Sequence, residues 1–365
     1  MSLIEQNKYK KSSSKNSKKK VCHSYDNVAN SLQKEKCPSK QCLIKLSRIM
    51  FHLPPTPEAV LDPSPNNPLI QELIHKIQTI FPHLIIPTWI LSPAICLYLL
   101  KIGSFETRLN LFLVLVYQYF FFRKTKVLRE ILYHTTKPIE YFTNYQFIIE
   151  DSEELKESGS LFCSHPHGYF ATGLFISMIM NKTLRKAEVA GSRMALVYPW
   201  GGLVTKFLGI EGANPANFEL FLKENKNIAF IPGGFEEATL TKYGKQKVFL
   251  KNRKGFIKFG LKYGYSVYPI YTIGETNMMN SISYEKLGII LNKIKMPGTL
   301  PYSKKWMLPN NDEELITIVG KRMDLPMIKT PKQEDIDKFH DMYVENLKRM
   351  YAKYKREKDG ELEIC

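Results

Sequence analysis

Three hydrophobic rhythms divide the chain. The first forty residues have almost none. Lys, Ser and Asn dominate there, a composition that predicts a disordered tail. A Pro-rich stretch over 54–68 follows, and tail and linker together are set at 1–65. Leu69, Ile70, Leu73, Ile74 and Ile77 then recur at helical spacing, with Gln71, Glu72 and Lys76 between them. That is a short amphipathic helix, suited to a membrane surface or to covering a core. Two uncharged runs come next, Leu84–Leu100 and Leu109–Phe122, separated by the polar break Lys101–Arg108. At the rise of an α-helix the second run reaches about 21 Å, short of the roughly 30 Å of bilayer hydrocarbon. Pro87 and Pro93 kink the first. The pattern predicts a helical hairpin that enters a membrane and returns, within a segment set at 66–126; two buried core helices are the alternative. Basic residues before it, and Arg123, Lys124 and Lys126 after it, place both flanks in the cytosol.

Beyond about residue 145 the rhythm becomes one of short apolar strands and helices. Gln146–Ile149, Leu161–Ser164, Ile228–Ile231 and Ser266–Tyr271 read as strands. Gly168–Met180, Phe218–Lys223, Gly255–Tyr263 and 334–356 read as helices, the third stopped by Gly264. Alternation of this kind predicts an α/β domain over 127–365, a largely parallel sheet with flanking helices. In such folds sites gather at the strand-to-helix turns.

Charge narrows the partners. Lys and Arg number 52 against 35 acidic residues, a net +17, of which the first fifty residues carry +9. An anionic membrane or a phosphorylated substrate fits the hydrophobic runs better than nucleic acid does. The six cysteines form no CxxC pair and no zinc-finger spacing, and read as reduced thiols. Cys163, two residues before a histidine, is a buried strand thiol rather than a nucleophile. No cleavable signal peptide is visible, because the first twenty residues lack an apolar core.

Four blocks carry chemistry. Ser164-His165-Pro166-His167-Gly168 ends a strand; in extended backbone the two imidazoles share a face and reach one pocket. An imidazole suits proton removal from a hydroxyl near neutral pH, whereas zinc lacks further ligands at diagnostic spacing. Pro232-Gly233-Gly234-Phe235-Glu236-Glu237 ends another strand, offering turn N–H groups and a carboxylate able to hold a histidine tautomer. Arg253, Lys254 and Lys258 cluster at a helix start, where donors and dipole favour phosphate. Glu275, after Gly274, is either a site residue or a turn cap.

These blocks, SHPHG, PGGFEE about seventy residues later, NRKGFIKFGLKYGYSVYPIYTIGE and the closing DIDKFHDMYVENLKRMYAKYK, resemble the type 2 diacylglycerol acyltransferase family. Monoacylglycerol and wax-alcohol acyltransferases belong to it as well. The resemblance runs from about residue 84 to 356 and leaves the N-terminal tail uncovered. Where the family often has Tyr-Phe-Pro, this chain has Tyr141-Phe142-Thr143. It implies an enzyme of the endoplasmic reticulum membrane, also found at lipid droplets, with its catalytic domain facing the cytosol. Acyl-CoA is the co-substrate and a neutral glycerolipid the acceptor; no cofactor is bound permanently and no metal is needed, since the thioester is already activated. Oligomerisation is left open.

The residues of these blocks take candidate roles within that reading. His165 and His167 are the candidate bases, with His167 preferred, and Glu237 matches the family's Gly-Gly-x-x-Glu glutamate and orients the imidazole. Gly168, Gly233 and Gly234 are the candidate oxyanion turns. Arg253, Lys254 and Lys258 would hold CoA phosphates. The His-x4-Asp pattern of related glycerolipid acyltransferases is absent, since Phe170 and Thr172 stand where the Asp would, which argues against a lysophospholipid acceptor. A lipase would need a G-x-S-x-G elbow, and none occurs. A catalytically dead membrane scaffold is opposed by the retained His and Glu blocks.

Overall fold

The structure is a computed structural model and describes residues 91–365 apart from 136–141, 143, 152–154, 284, 294–298 and 307. All of them belong to one compact unit, Pro65–Cys365. The tail, the linker, the amphipathic helix around 69–77 and the start of the run Leu84–Leu100 lie outside the described residues.

The sheet is built from β1 (Tyr145–Ile149), β2 (Ser160–His165), β3 (Glu188–Gly191), β4 (Ile210–Gly212), β5 (Ile228–Phe230), β7 (Ser266–Ile273) and β10 (Leu315–Val319). Short β6 (Lys247–Val248), β8 (Asn280–Ser283) and β9 (Thr299–Tyr302) lie outside it. Its order is β1-β10-β7-β2-β5-β3-β4, with β11 (Met323–Asp324) on the flank of β7. From β7 through β4 every neighbouring pair is parallel; β10 runs antiparallel to β7 and carries β1 parallel to itself. The sheet is therefore mixed and mostly parallel. β7 and β2 are buried at every position, as expected of parallel strands covered on both faces. Pro269 sits mid-strand in β7 without an N–H to give. The antiparallel partner breaks opposite it, between β10 and β11, where Gly320 instead donates to the Pro269 carbonyl at 2.8 Å.

Period-two alternation sorts the strand residues between two cores. On one face Leu161, Cys163, Val267 and Tyr271 pack against helices Pro215–Lys223, Gly255–Tyr263 and Gln333–Tyr354. On the other, Phe162, Tyr268 and Ile270 pack against Leu174 and Met178. Four helices matter below: α1 (Thr172–Met180), α2 (Gly234–Leu240), α3 (Gly255–Tyr263) and α4 (Gln333–Tyr354). α1 begins at Thr172, four residues later than its sequence suggests. Gly168 and Ala171 adopt left-handed backbone at φ +57° and +55° and delay it.

The second apolar run forms a 12-residue helix, Phe105–Val116, continued by a π-turn over Tyr117–Phe121. Leu111 is the helix's buried residue, while Phe105, Phe112, Phe120 and Phe121 are each more than 60% exposed. The core-helix alternative is thus not what this segment adopts. No helix among the described residues is long and apolar enough to cross a membrane. The arm is pinned to the body through its one buried amide. Gln118 donates to the Tyr198 carbonyl at 2.9 Å and accepts from the Trp200 N–H at 3.0 Å. The Lys206 ammonium bonds the carbonyls of Gln118 and Phe122.

α1 lies directly on the sheet because Gly173 has no side chain. A Cβ there would stand 2.0 Å from Thr272 Oγ1, itself bonded to Thr317 across β7 and β10. Gly173→Ala is expected to destabilise the fold by about 1–3 kcal/mol, read as a lower thermal midpoint in detergent; an unchanged midpoint contradicts this packing.

Candidate active site

Three neighbouring strands of the sheet, β7, β2 and β5, end at the same edge, and each leads into one of the chemical blocks. His165 is the last residue of β2. By alternation it shares the face of Leu161 and Cys163, beneath α4, and it is fully buried. The chain then turns through Pro166, His167 and Gly168. His167 is half-buried, and its ring Nδ1 lies 3.0 Å from the Gly168 carbonyl. A carbonyl only accepts, so Nδ1 carries the hydrogen and the Nε2 lone pair remains available. Burial lowers the His167 pKa below its ordinary 6.5, partly opposed by the negative charge of Glu237.

Glu237, in the first turn of α2, reaches back over Gly233 to this turn and is itself fully buried. Oε1 accepts from the His167 backbone N–H at 2.7 Å and faces His165 Nδ1 at 3.5 Å. Oε2 accepts from the Phe249 N–H at 2.9 Å. These donors replace the water a buried carboxylate loses. The arrangement differs from the sequence expectation in one respect: Glu237 grips His167 through its backbone, and the ring it faces is that of His165. The two imidazoles likewise have different partners, because His165 ends the strand under α4 while His167 lies beyond it in the turn. His165 Nε2 is 3.0 Å from the Tyr343 hydroxyl on α4.

Glu275, which the sequence left undecided, caps α1. It accepts from the N–H groups of Thr172 at 2.9 Å and Gly173 at 2.6 Å, a service that Ala171 at the N-cap has no side chain to perform. Burial pushes its carboxyl up to about 7 despite those two donors. Gly168 is confined by the same group. Its φ is +57°, and a Cβ would stand 2.5 Å from Glu275 Oε1. Gly234 also takes a positive φ, at the start of α2.

The basic block lies beside α2 and α3. Arg253 pairs with Glu236 and lies over the Phe249 ring, its guanidinium 5.3 Å from the centroid. Lys254 reaches Asp337 of α4 at 2.6 Å, and Lys258 is exposed in the first turn of α3. Two of the three cations therefore have carboxylate partners on the protein itself. Cys163 is buried, and burial drives its thiol pKa well up. Among the described residues no three His, Cys, Asp or Glu side chains gather as metal ligands would.

Tyr343 and the Phe249 N–H escaped sequence reasoning. The stripe Ile336, His340, Tyr343, Leu347 and Met350 marks Tyr343 as buried, but nothing local says which strand end it meets. An unprotonated imidazole nitrogen beside a buried, hydrogen-bonded carboxylate, at the carboxyl ends of parallel strands, can chemically take a proton from a hydroxyl. The profile of the family described as Diacylglycerol acyltransferase matches residues 104–364. The chain belongs to that family and is an acyltransferase. Diacylglycerol O-acyltransferase 2 of Dictyostelium discoideum is 27% identical over 240 residues, covering 59% of this chain and 72% of that protein. The protein of the same name from Homo sapiens is 28% identical over 240 residues, covering 59% of this chain and 62% of its own length. Among solved structures, the 1-acyl-sn-glycerophosphate acyltransferase PlsC of Thermotoga maritima aligns with a TM-score of 0.40 and 11% identity, over 79% of this chain and 96% of its own.

Gly233 has φ −71°, open to any residue, yet a Cβ there would lie 2.1 Å from Glu237 Oε2. Gly233→Ala is therefore expected to displace the carboxylate without breaking α2, lowering acyl transfer more than tenfold at normal protein levels. Transfer at the parental rate contradicts this placement of Glu237.

Proposed function

We propose that this chain transfers a fatty acyl group from acyl-CoA to the free hydroxyl of diacylglycerol, forming triacylglycerol, with His167 as general base. The bond from His167 Nδ1 to the Gly168 carbonyl carries this reading, since it aims the hydrogen inward and leaves Nε2 to take the acceptor's proton. The lowered pKa keeps the ring neutral, and so basic, at physiological pH. As the hydroxyl oxygen attacks the thioester carbonyl, its proton passes to Nε2. The C–S bond of the tetrahedral intermediate then breaks, and the imidazolium returns the proton to the departing CoA thiolate. Glu237 lies close enough to favour the transient imidazolium.

Backbone N–H groups near Gly168 or Gly233–Gly234 are the proposed oxyanion donors. Arg253, Lys254 and Lys258 are the proposed phosphate contacts; for the first two, CoA exchanges with Glu236 and Asp337. The acceptor arrives from a membrane, for which the exposed aromatic arm supports a place in the bilayer interface. Between that arm and helix Gly201–Phe207 an open apolar groove of about 480 Å³ is lined by Leu113, Val114, Tyr117, Phe122, Leu203 and Phe207, with Asn110 at its edge. The proposed location is the cytosolic face of the endoplasmic reticulum, and the surface of lipid droplets, with the arm as part of a hairpin that enters and returns.

Expression in cells lacking neutral-lipid synthesis tests the acceptor: triacylglycerol is expected, and wax or sterol esters in its place would overturn the reading. His167→Ala is expected to lower transfer by about 10²- to 10⁴-fold, the usual worth of a general base, at unchanged membrane content. Replacing Phe112 and Phe120 together by Asp is expected to shift the protein from the carbonate-resistant membrane fraction toward the soluble one. Unaltered fractionation removes the membrane role of the arm.

A further inference from the structure

Alternation along β2 turns Cys163 and His165 toward α4, and there Tyr343 meets both. Its hydroxyl is 3.0 Å from His165 Nε2, and it lies close enough to the Cys163 thiol for each to shift the other's ionisation. Tyr343 and His165 are each fully buried, so neither can turn to water for a partner. The phenol has one hydrogen to give. An unprotonated imidazole nitrogen is a much better acceptor than a thiol sulfur, and burial holds the phenol protonated by raising its pKa well above 10. With Nε2 accepting, the ring hydrogen must be on Nδ1, which faces Glu237 Oε1, an atom that only accepts. The opposite tautomer would set the Nδ1 lone pair against the carboxylate and Nε2–H against a hydroxyl left to face sulfur.

α4 also reaches the other side of the same carboxylate. His340 Nε2–H donates to the Leu250 carbonyl at 3.1 Å, one residue after the Phe249 N–H that holds Glu237 Oε2. The C-terminal helix thus steadies both flanks of Glu237.

We infer that Tyr343 is a positioning residue: its hydroxyl fixes His165 as the Nδ1–H tautomer, which holds the Glu237 carboxylate and, through it, the His167 turn. This rests on the reading of His167 as base and assigns His165 a supporting part rather than proton abstraction.

A double-mutant cycle on the full chain in microsomes tests it. Asn at 165 keeps an amide N–H about where Nδ1 stands and has nothing in the place of Nε2. Tyr343→Phe is expected to lower Vmax about tenfold while the KM for acyl-CoA and for diacylglycerol stays within twofold. Added to His165→Asn, it is expected to cost less than a further twofold, because the group it served has gone. Parental activity in Tyr343→Phe, or a full multiplicative loss in the double variant, overturns the assignment. Should Tyr343→Phe fail to accumulate, NMR of the ¹⁵N-histidine-labelled parent decides, the His165 signal being identified by its loss in His165→Asn. A hydrogen on Nδ1 is expected, and one on Nε2 overturns it. These results stand apart from the identity of the base, which His167→Ala reports on by itself.

Discussion

The site depends on one buried carboxylate. Glu237 has lost its water, and a charge in that position persists only if donors of the protein replace the hydration. The N–H groups of His167 and Phe249 do so, and His165 Nδ1 faces it from a third direction. These groups come from two pieces of chain, the end of β2 with the turn that follows it and the segment after β6. A group satisfied from three directions fixes both pieces, so the carboxylate organises the geometry of a turn whose own sequence contains a flexible glycine.

The surrounding fold serves that constraint. Adjacent parallel strands β2 and β5 bring the SHPHG and PGGFEE turns together at their carboxyl ends, and β7 brings Glu275 to the same edge. Glu275 fastens α1 behind the histidine turn, leaving space there for glycine and no larger residue. α4 closes the site from the far end of the sequence through Tyr343 and His340. The apolar arm stands apart from this chemistry and is tied to the body by Gln118 and Lys206. In the proposed function a polar interior that holds a base and an apolar exterior that meets lipid are thus separate parts of one unit.

Much of this was legible in the residues, and the rest was hidden for physical reasons. Helix Gly255–Tyr263 reads correctly at both ends, because its apolar stripe is bounded by a left-handed glycine at 264. The β2 and β7 strands announce themselves through the apolar stretches Leu161–Cys163 and Val267–Tyr271. β3 and β4, four and three residues long, contain too few positions for any period to emerge; they become strands through their neighbours. That β10 runs antiparallel is equally invisible, since direction is a property of the connection. His165, His167 and Glu237 stand out by residue type and spacing. That Glu237 holds one histidine by its backbone and faces the ring of the other depends on where a strand ends, and Tyr343 is about 180 residues from its partner.

The central claim is that His167, neutral and with Nε2 free, takes the proton. Burial disfavours the charged ring and holds its pKa below the ordinary 6.5, so the fraction of enzyme with a competent base rises with pH and is the larger part at neutrality. The pH dependence of Vmax/KM for acyl transfer by the membrane-bound enzyme measures this directly. A plateau through neutral pH, with an acid limb whose midpoint falls below 6.5, is the predicted result. An acid limb centred above 6.5 would contradict it.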